Sequence, residues 1–368
     1  MRLRTLEISR VRNLSSVAIE CSPGLNVFIG PNGAGKTAVI EAVYILARGR
    51  SFRSNIVESV IQSAAESLMV RAQLDDEHRG QVTVALAKHR NGKTELHVNE
   101  VNERRLSEVA RLAPIQIILP DSSDLVFGGP QHRRRFLDWG TFHVEPAYLE
   151  KLRAYQRALH QRNALLRSVR GKLSGASGAA LEAWTDQVAR LAQHVHLARK
   201  DYLARLVPAT LEKLGALANG IPLAASYRPG WPEGATLEDC LREGVARDVK
   251  FGLTHHGPHR ADLRLSVEGA AASATLSRGQ AKIVACALRL AQAELTSAIG
   301  GRRSLFLIDD VGAELDAAHN ERFFRLLEAT GSQVLATATT VASLGSAFAE
   351  RGMRLFHVEQ GACHPIGT

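Results

Sequence analysis

Residues Gly30-Pro31-Asn32-Gly33-Ala34-Gly35-Lys36-Thr37 fit the pattern G-x-x-x-x-G-K-[ST]. In this pattern glycines let backbone N–H groups turn toward an anion, a lysine adds a compact positive charge, and a terminal hydroxyl reaches magnesium. The chemistry served is the handling of a nucleoside triphosphate, with Lys36 expected on the β and γ phosphates and Thr37 on Mg²⁺. Two carboxylates far downstream, Asp309 and Asp310, suit the remainder. Asp309 is expected to hold the metal's hydration shell, and Asp310 to polarise the attacking water as general base.

Such side chains need rigid supports on both sides. Before the loop, Leu25, Val27 and Ile29 alternate like a buried strand; after it, Ile40, Val43, Tyr44 and Ala47 recur at helical spacing. Strand, loop and helix therefore follow in the order the pattern requires. Leu305-Phe306-Leu307-Ile308 is a short apolar run suited to a central parallel strand, and it ends in the two aspartates. Leu276-Ser277-Arg278-Gly279-Gln280 heads a further helix whose apolar face carries Ile283, Val284, Ala287, Leu288 and Leu290. A serine hydroxyl and glycine N–H groups at a helix start form a second anion cradle, although Ser277 would equally cap any soluble helix.

Taken in order, these three segments resemble the Walker A, signature and Walker B motifs of ABC-type ATPases. The resemblance implies that Ser277, Arg278, Gly279 and Gln280 cap the γ-phosphate held by a second copy, so that ATP and Mg²⁺ drive a homodimer. Ala313-Glu314-Leu315-Asp316 resembles the D-loop, with Asp316 in the matching place. Arg12-Asn13 matches an early loop near the nucleotide, and Gln116 stands as the Q-loop residue that senses Mg²⁺ and γ-phosphate. Three departures are visible. Asp310 replaces a common glutamate and is shorter by a methylene; Thr337-Ala338-Thr339-Thr340 occupies the place of the transporters' switch histidine; Ala38 stands where a second hydroxyl is common.

The 368 residues, 45% of them hydrophobic, can bury a large core and favour two lobes, since single cores stop growing beyond about 250–300 residues. No apolar stretch suits a signal peptide or a membrane span, so a cytoplasmic protein without a membrane partner is expected. Cys21, Cys240, Cys286 and Cys363 lack metal-ligand spacing, which argues against zinc and disulfides. His255, His256 and His259 lack the carboxylate or cysteine companions of a metal site. A net charge of +9 favours a polyanionic partner. Arg133-Arg134-Arg135 opens a helix after Gly128-Gly129-Pro130, and Arg153, Arg157, Arg162, Arg167, Arg170 and Lys172 follow. Arg133, Arg134, Arg135, Arg153 and Arg157 are the leading candidates for a DNA-tracking surface, against the simpler view of a solvated face.

The pattern of elements completes the reading. Val82, Val84 and Leu86, then Asn91-Gly92, then Leu96 and Val98 predict a hairpin, and Ile115, Ile117 and Leu119 predict a strand stopped by Pro120. Helical patterning on both sides of residues 171–178 predicts two antiparallel helices joined by a turn. Pro208 and the segment Gly220–Trp231 read as connections. The expected fold is α/β: an ABC-type P-loop ATPase head with a mixed sheet, made of residues 1–145 and 253–368, plus a short helical-arm second lobe at 146–206 joined back through 207–252.

Gly128-Gly129-Pro130 with Arg133-Arg134-Arg135-Phe136-Leu137-Asp138-Trp139, then Thr254-His255-His256-Gly257-Pro258-His259-Arg260-Ala261-Asp262-Leu263, then the signature and Leu307-Ile308-Asp309-Asp310, together resemble the RecF family of SMC-like ABC ATPases over essentially the whole chain. That resemblance implies slow ATP hydrolysis used as a dimer switch and binding of double- and single-stranded DNA at gaps. It also implies work with RecR and RecO that assists RecA loading in recombinational repair, replication restart and the SOS response. Two rival classes fit less well: a transporter subunit carries its signature nearer the phosphate loop and has a switch histidine, and a nuclease needs an acidic domain for which little chain remains after Asp316.

Overall fold

The computed structural model describes residues 1–54, 56–169, 175–311, 315–341 and 353–366. From the amino terminus the chain forms β1 (Arg2–Val11), β2 (Leu14–Glu20), β3 (Leu25–Ile29) and α1 (Lys36–Arg48), then β4 (Ser67–Asp76), β5 (Gly80–His89), β6 (Thr94–Val98) and β7 (Val101–Asn102). Next come α2 (Leu106–Leu112), β8 (Ile115–Ile118), α3 (Asp124–Phe127), α4 (Pro130–Val144), α5 (Tyr148–Ser168) and α6 (Gly175–Leu217). β9 (Leu223–Arg228), α7 (Leu237–Glu243), α8 (Val245–Phe251), β10 (Asp262–Val267), β11 (Ala270–Ala271) and α9 (Ala272–Thr275) follow. The chain closes with α10 (Arg278–Ala298), β12 (Leu305–Ile308), α11 (Ala317–Ala329), β13 (Gln333–Ala338), β14 (Met353–Glu359) and β15 (Ala362–Ile366).

Two compact units result. The first comprises Met1–Ser122, Lys213–Asn219 and Lys282–Thr368; the second comprises Ser123–Glu212 and Gly220–Ala281. The sequence-based division placed the first break at residue 145 and gave 253–281 to the head, whereas the compact units divide at Ser122/Ser123 and put that segment, signature included, in the second unit.

The first unit contains two six-stranded sheets. One is antiparallel, in the order β2-β1-β4-β5-β6-β7, and its strands alternate: Leu68, Val70, Ala72 and Leu74 of β4 are buried while their neighbours face outward. That alternation is what a sheet with one covered face requires. The hairpin around Asn91-Gly92 is β5–β6, with Val84 opposite Val98. The other sheet is mixed, ordered β15-β14-β3-β13-β12-β8, with only β15 antiparallel to its neighbour. Its β3, β12 and β13 are buried along their whole length, as expected of parallel strands covered on both faces. One core joins Ile8, Val70 and Val84 of the first sheet, Val39, Ile40 and Val43 of α1, and Phe28, Leu307 and Leu335 of the second.

In the second unit α5 and α6 run antiparallel. Tyr148 and Arg162 stand fourteen residues apart on α5 and bond to Arg199 and Thr185, fourteen apart in reverse order on α6. The Arg162 guanidinium is fully buried and donates to Asp248 Oδ2 and Thr254 Oγ1, each at 2.7 Å. β9, β10 and β11 form an antiparallel sheet. Here the expected plain connection at Gly220–Trp231 is corrected: Pro222 and Pro229 bracket β9, which pairs with β10 from Leu223↔Val267 to Arg228↔Asp262. Proline is excluded from the inside of a ladder but not from its flanks. α6 also continues through Pro208 to Leu217, past the expected arm end at 206. Residues 171–174 of the predicted turn lie outside the described residues.

A candidate nucleotide site at the ends of the parallel strands

β3, β13, β12 and β8 are mutually parallel, so their carboxyl ends open on one side of the sheet, where α/β sheets bind ligands. A cavity of about 280 Å³ lies there, lined by Arg12, Asn13, Asn32, Gly33, Gly35, Lys36, Thr37, Arg53, Pro120, Asp309, Asp310 and Thr337. The sequence-predicted phosphate loop and both aspartates are thus brought together.

The loop carbonyls are taken up by neighbours. Asn13 Nδ2 donates to Gly33 O at 3.2 Å and Ala34 O at 3.0 Å, and the Gly361 N–H at the β14–β15 turn donates to Ala34 O at 3.1 Å. Gly35, at φ +116°, leaves room for this: a Cβ there would come within 3.0 Å of the Leu14 and Asn13 side chains. Such a loop can offer its N–H groups to an anion. Lys36 is 8% exposed and donates from Nζ to Gly30 O at 2.7 Å and Pro31 O at 2.9 Å. Burial pulls its pKa below the ordinary lysine value, against the opposing pull of Asp310 and Asp309.

Opposite the loop, Thr37 Oγ1 donates to Asp309 at 3.0 Å (Oδ1) and 3.2 Å (Oδ2). Thr337 Oγ1 donates to Asp309 Oδ1 at 2.7 Å and accepts the Asp310 N–H at 2.8 Å. Asp309 N–H bonds to Ile118 O at 3.0 Å. Asp310 adopts φ +59°, a left-handed conformation that aspartate tolerates better than most residues. Hard oxygens of Thr37 and Asp309 lie side by side, the donor chemistry that magnesium prefers.

Arg12 lines the cavity and is fixed from behind by Glu41, fully buried on the inward face of α1. Ser51 also donates to Glu41, and Arg53 lies 4.0 Å away. Sequence reasoning passed over Glu41, Arg53 and Pro120. For Glu41 a signal existed: an acidic residue among Val39, Ile40, Ala42 and Val43 on a buried helix requires a cation.

Other predicted residues fall elsewhere. The Q-loop assignment of Gln116 is corrected: its side chain is fully buried, donates to Gln292 Oε1 and accepts from Arg289 Nη1, both at 3.2 Å. It sits two residues before the end of β8, about 7 Å back along the strand, and Pro120 is the residue of this segment that reaches the cavity. Arg133 and Arg134 are likewise not a free basic surface. Arg133 grips Asp262 by Nε at 2.8 Å and Nη2 at 3.1 Å, and Arg134 donates to Ala261 O at 2.8 Å. Arg135, Arg153, Arg157 and Arg167 are exposed, Arg162 is buried, and Arg170 and Lys172 lie outside the described residues.

Ser277, Arg278, Gly279 and Gln280 are all exposed in the second unit. Ser277 Oγ accepts the Gln280 N–H at 3.2 Å and Gln280 Oε1 accepts the Ser277 N–H at 3.0 Å, a reciprocal capping box. Asp316 caps α11, accepting His319 N–H at 2.9 Å and pairing with His319 Nδ1 at 2.7 Å, contacts that hold its carboxylate below the usual range. Ala313 and Glu314 lie outside the described residues. Of the three histidines, His255 Nδ1 is 2.7 Å from Asp248, and His259 bridges Tyr155 Oη at 2.6 Å and Thr254 O at 3.0 Å. No helix among the described residues is long and apolar enough to cross a membrane.

Residues 2–364 match the family described as RecF/RecN/SMC N terminal domain. The DNA replication and repair protein RecF of Marinomonas sp. (strain MWYL1) is 40% identical over 338 residues, covering 92% of this chain and 90% of that protein. RecF of Vibrio vulnificus (strain CMCP6) is 37% identical over 361 residues, covering 98% and 99%. The solved structure of the recombination mediator protein RecF with ATP, of the RecFOR pathway, shares the fold with a TM-score of 0.88 at 24% identity, covering 100% of this chain and 98% of that one. The Smc head domain of Pyrococcus furiosus shares it more distantly, at 0.61 and 15% identity, covering 99% and 96%. The match along nearly the full length shows that the chain belongs to the RecF family, with the fold of an ABC-type P-loop ATPase head.

Proposed function

We propose that this chain is a slow, DNA-stimulated ATPase of DNA replication and repair that uses ATP to assemble a homodimer on DNA. The observation that carries the reading is the bonded chain from Thr37 through Asp309 to Thr337, which ties the phosphate loop to the acidic strand end around one cavity. Thr37 and Asp309 would hold Mg²⁺, which supplies charge neutralisation on the phosphates. Lys36 contributes its ammonium to the β and γ phosphates, Arg12 and Asn13 border the same space, and Asp310 accepts the proton of the attacking water. A base shorter than glutamate, on a backbone held at φ +59°, suits slow turnover.

Dimerisation is supported by the exposure of signature residues Ser277 to Gln280, which leaves a helix-start anion cradle open to a second copy's γ-phosphate. Asp316 stands in the D-loop place on the same reading. Exposed Arg135, Arg153 and Arg157 supply cations for double- and single-stranded DNA. The relatives named for DNA replication and repair, and the RecFOR pathway of the structural relative, support RecR and RecO as partners, RecA loading as the outcome, and the cytoplasm as the place. The deciding experiment is solution mass with ATP, ADP or no nucleotide, with and without gapped DNA. Dimer with ATP alone or with ATP and DNA is expected, lost in Ser277→Arg while ATP binding by the monomer stays; unchanged dimerisation of that variant overturns the trans assignment.

A further inference from the structure

β12 and β13 pair in register up to Ile308↔Ala336, so Thr337 stands opposite Asp309 at the first position beyond the ladder. On its other side Thr337 still pairs with Phe28 of β3, two residues before the phosphate loop begins. Its backbone is therefore fixed by the strand that feeds the loop, while its side chain faces the acidic turn. Thr337 is 1% exposed.

A hydroxyl has one proton to give. An ionised carboxylate can only accept and a backbone N–H can only donate, so both roles of the Thr337 hydroxyl are determined: its proton lies toward Asp309 Oδ1 at 2.7 Å and its lone pair toward the Asp310 N–H at 2.8 Å. The Thr337 carbonyl takes the next N–H, that of Val311, at 2.8 Å. One residue thus fixes two successive amides of the turn, and it does so where Asp310 occupies its left-handed conformation. With its single proton committed to Asp309, the hydroxyl has none left for a phosphate.

We propose that Thr337 is a positioning residue that sets the orientation of Asp309 and the backbone of Asp310 together, and that it does not act as a γ-phosphate contact in the manner of a switch histidine. The inference rests on the nucleotide site proposed above. Thr37 and Thr337 grip Asp309 from two sides, one from the loop helix and one from β13. The rotation of the carboxylate is then determined by both halves of the site.

The test compares the native chain with Thr337→Val, which keeps shape and removes the hydroxyl, and Thr337→Ser, which keeps the hydroxyl. Hydrolysis with Mg²⁺ is expected to fall about tenfold or more in kcat for Thr337→Val and to return within about threefold of native for Thr337→Ser. Two readouts are independent of turnover. The ratio of ATP to ADP affinity, measured in EDTA, stays within about twofold of native in Thr337→Val, and the Asp310 amide exchanges its hydrogen faster than in the native chain and in Thr337→Ser. A native rate of hydrolysis in Thr337→Val, a rate in Thr337→Ser no better than in Thr337→Val, or a fall of about tenfold in the ATP-to-ADP affinity ratio each overturns the proposal. A native chain that binds no ATP overturns the nucleotide site itself; native ATP binding with an unaffected Thr337→Val overturns only the role of Thr337.

Discussion

Arg12 and Glu41 meet edge to edge, Nε to Oε2 at 3.0 Å and Nη2 to Oε1 at 2.8 Å, with the Glu41 carboxylate wholly buried and the Arg12 side chain 23% exposed. The asymmetry in exposure makes the two ends unequal. Removing Arg12 leaves a buried negative charge whose remaining close donor is the Ser51 hydroxyl, whereas removing Glu41 frees a cation that already touches water. Arg12→Met is expected to lower unfolding free energy by about 3 kcal/mol, and the double variant Arg12→Met/Glu41→Met to recover at least about 1 kcal/mol of that loss. Urea denaturation of the native chain and the two variants reads this directly, and a double variant no better than Arg12→Met would show that buried charge is not the cause.

The β14–β15 turn supports the Gly30–Thr37 loop even though it lies far from it in sequence. Gly361, at φ +78°, packs so that a Cβ would come within 2.1 Å of Asn13 O, and its N–H holds Ala34 O. Gly361→Ala should destabilise the chain by about 1–3 kcal/mol through the disallowed contact and left-handed backbone. ATP affinity should fall alongside, by isothermal titration, because the loop loses one of its two outside supports.

The arginines separate into two groups with opposite expected behaviour. Arg153→Ser/Arg157→Ser should leave the melting temperature unchanged and reduce the log-log salt slope of duplex DNA binding by up to about 1.8. Arg133→Ser, which strands Asp262, should lower the melting temperature and leave that slope alone. Fluorescence anisotropy across a salt series distinguishes them, and an unaltered slope in the first variant would assign those side chains to solvent.

A pH dependence follows from His259. Burial, aided by Arg260 and Arg134, brings its pKa down to about 4 despite the bond to Thr254 O, against about 6.5 in the unfolded chain. Between these values the unfolded chain binds more protons than the folded one. Stability is therefore fully present above pH 6.5 or so and falls as the pH drops toward 4, by up to about 3 kcal/mol from this group. Stability curves of native and His259→Gln protein should converge in slope above pH 7 and diverge below 6.5, the native falling more steeply; parallel curves would remove His259 as the source.

What could be read in the sequence is what has a local signature. The phosphate loop, the apolar run ending in Asp309-Asp310 and the Asn91-Gly92 hairpin each carry their own constraint within a few residues, because glycine, charge and period are local properties. The partners of the basic run were not legible: Arg133 finds Asp262 across 129 positions, and nothing near Arg133 announces that carboxylate. Gln116 failed for a related reason. A glutamine in an apolar strand shows that a polar partner exists, but Gln292 and Arg289 lie on a helix more than 170 positions away. The strand between Pro222 and Pro229 depends on β10, whose pairing is a tertiary choice. Arg12-Asn13 was found only through resemblance, and the geometry supplies its reason: Asn13 clamps the loop and Arg12 answers Glu41.

The two ties of the helical arm, Tyr148 with Arg199 and Arg162 with Thr185, act like two pins through a pair of rods. A slip of one helical turn would pull both pins at once and cost both guanidiniums their cross-helix partners, much as a single buried polar residue fixes the register of a coiled coil. The two rods are therefore held in a single register along their common axis.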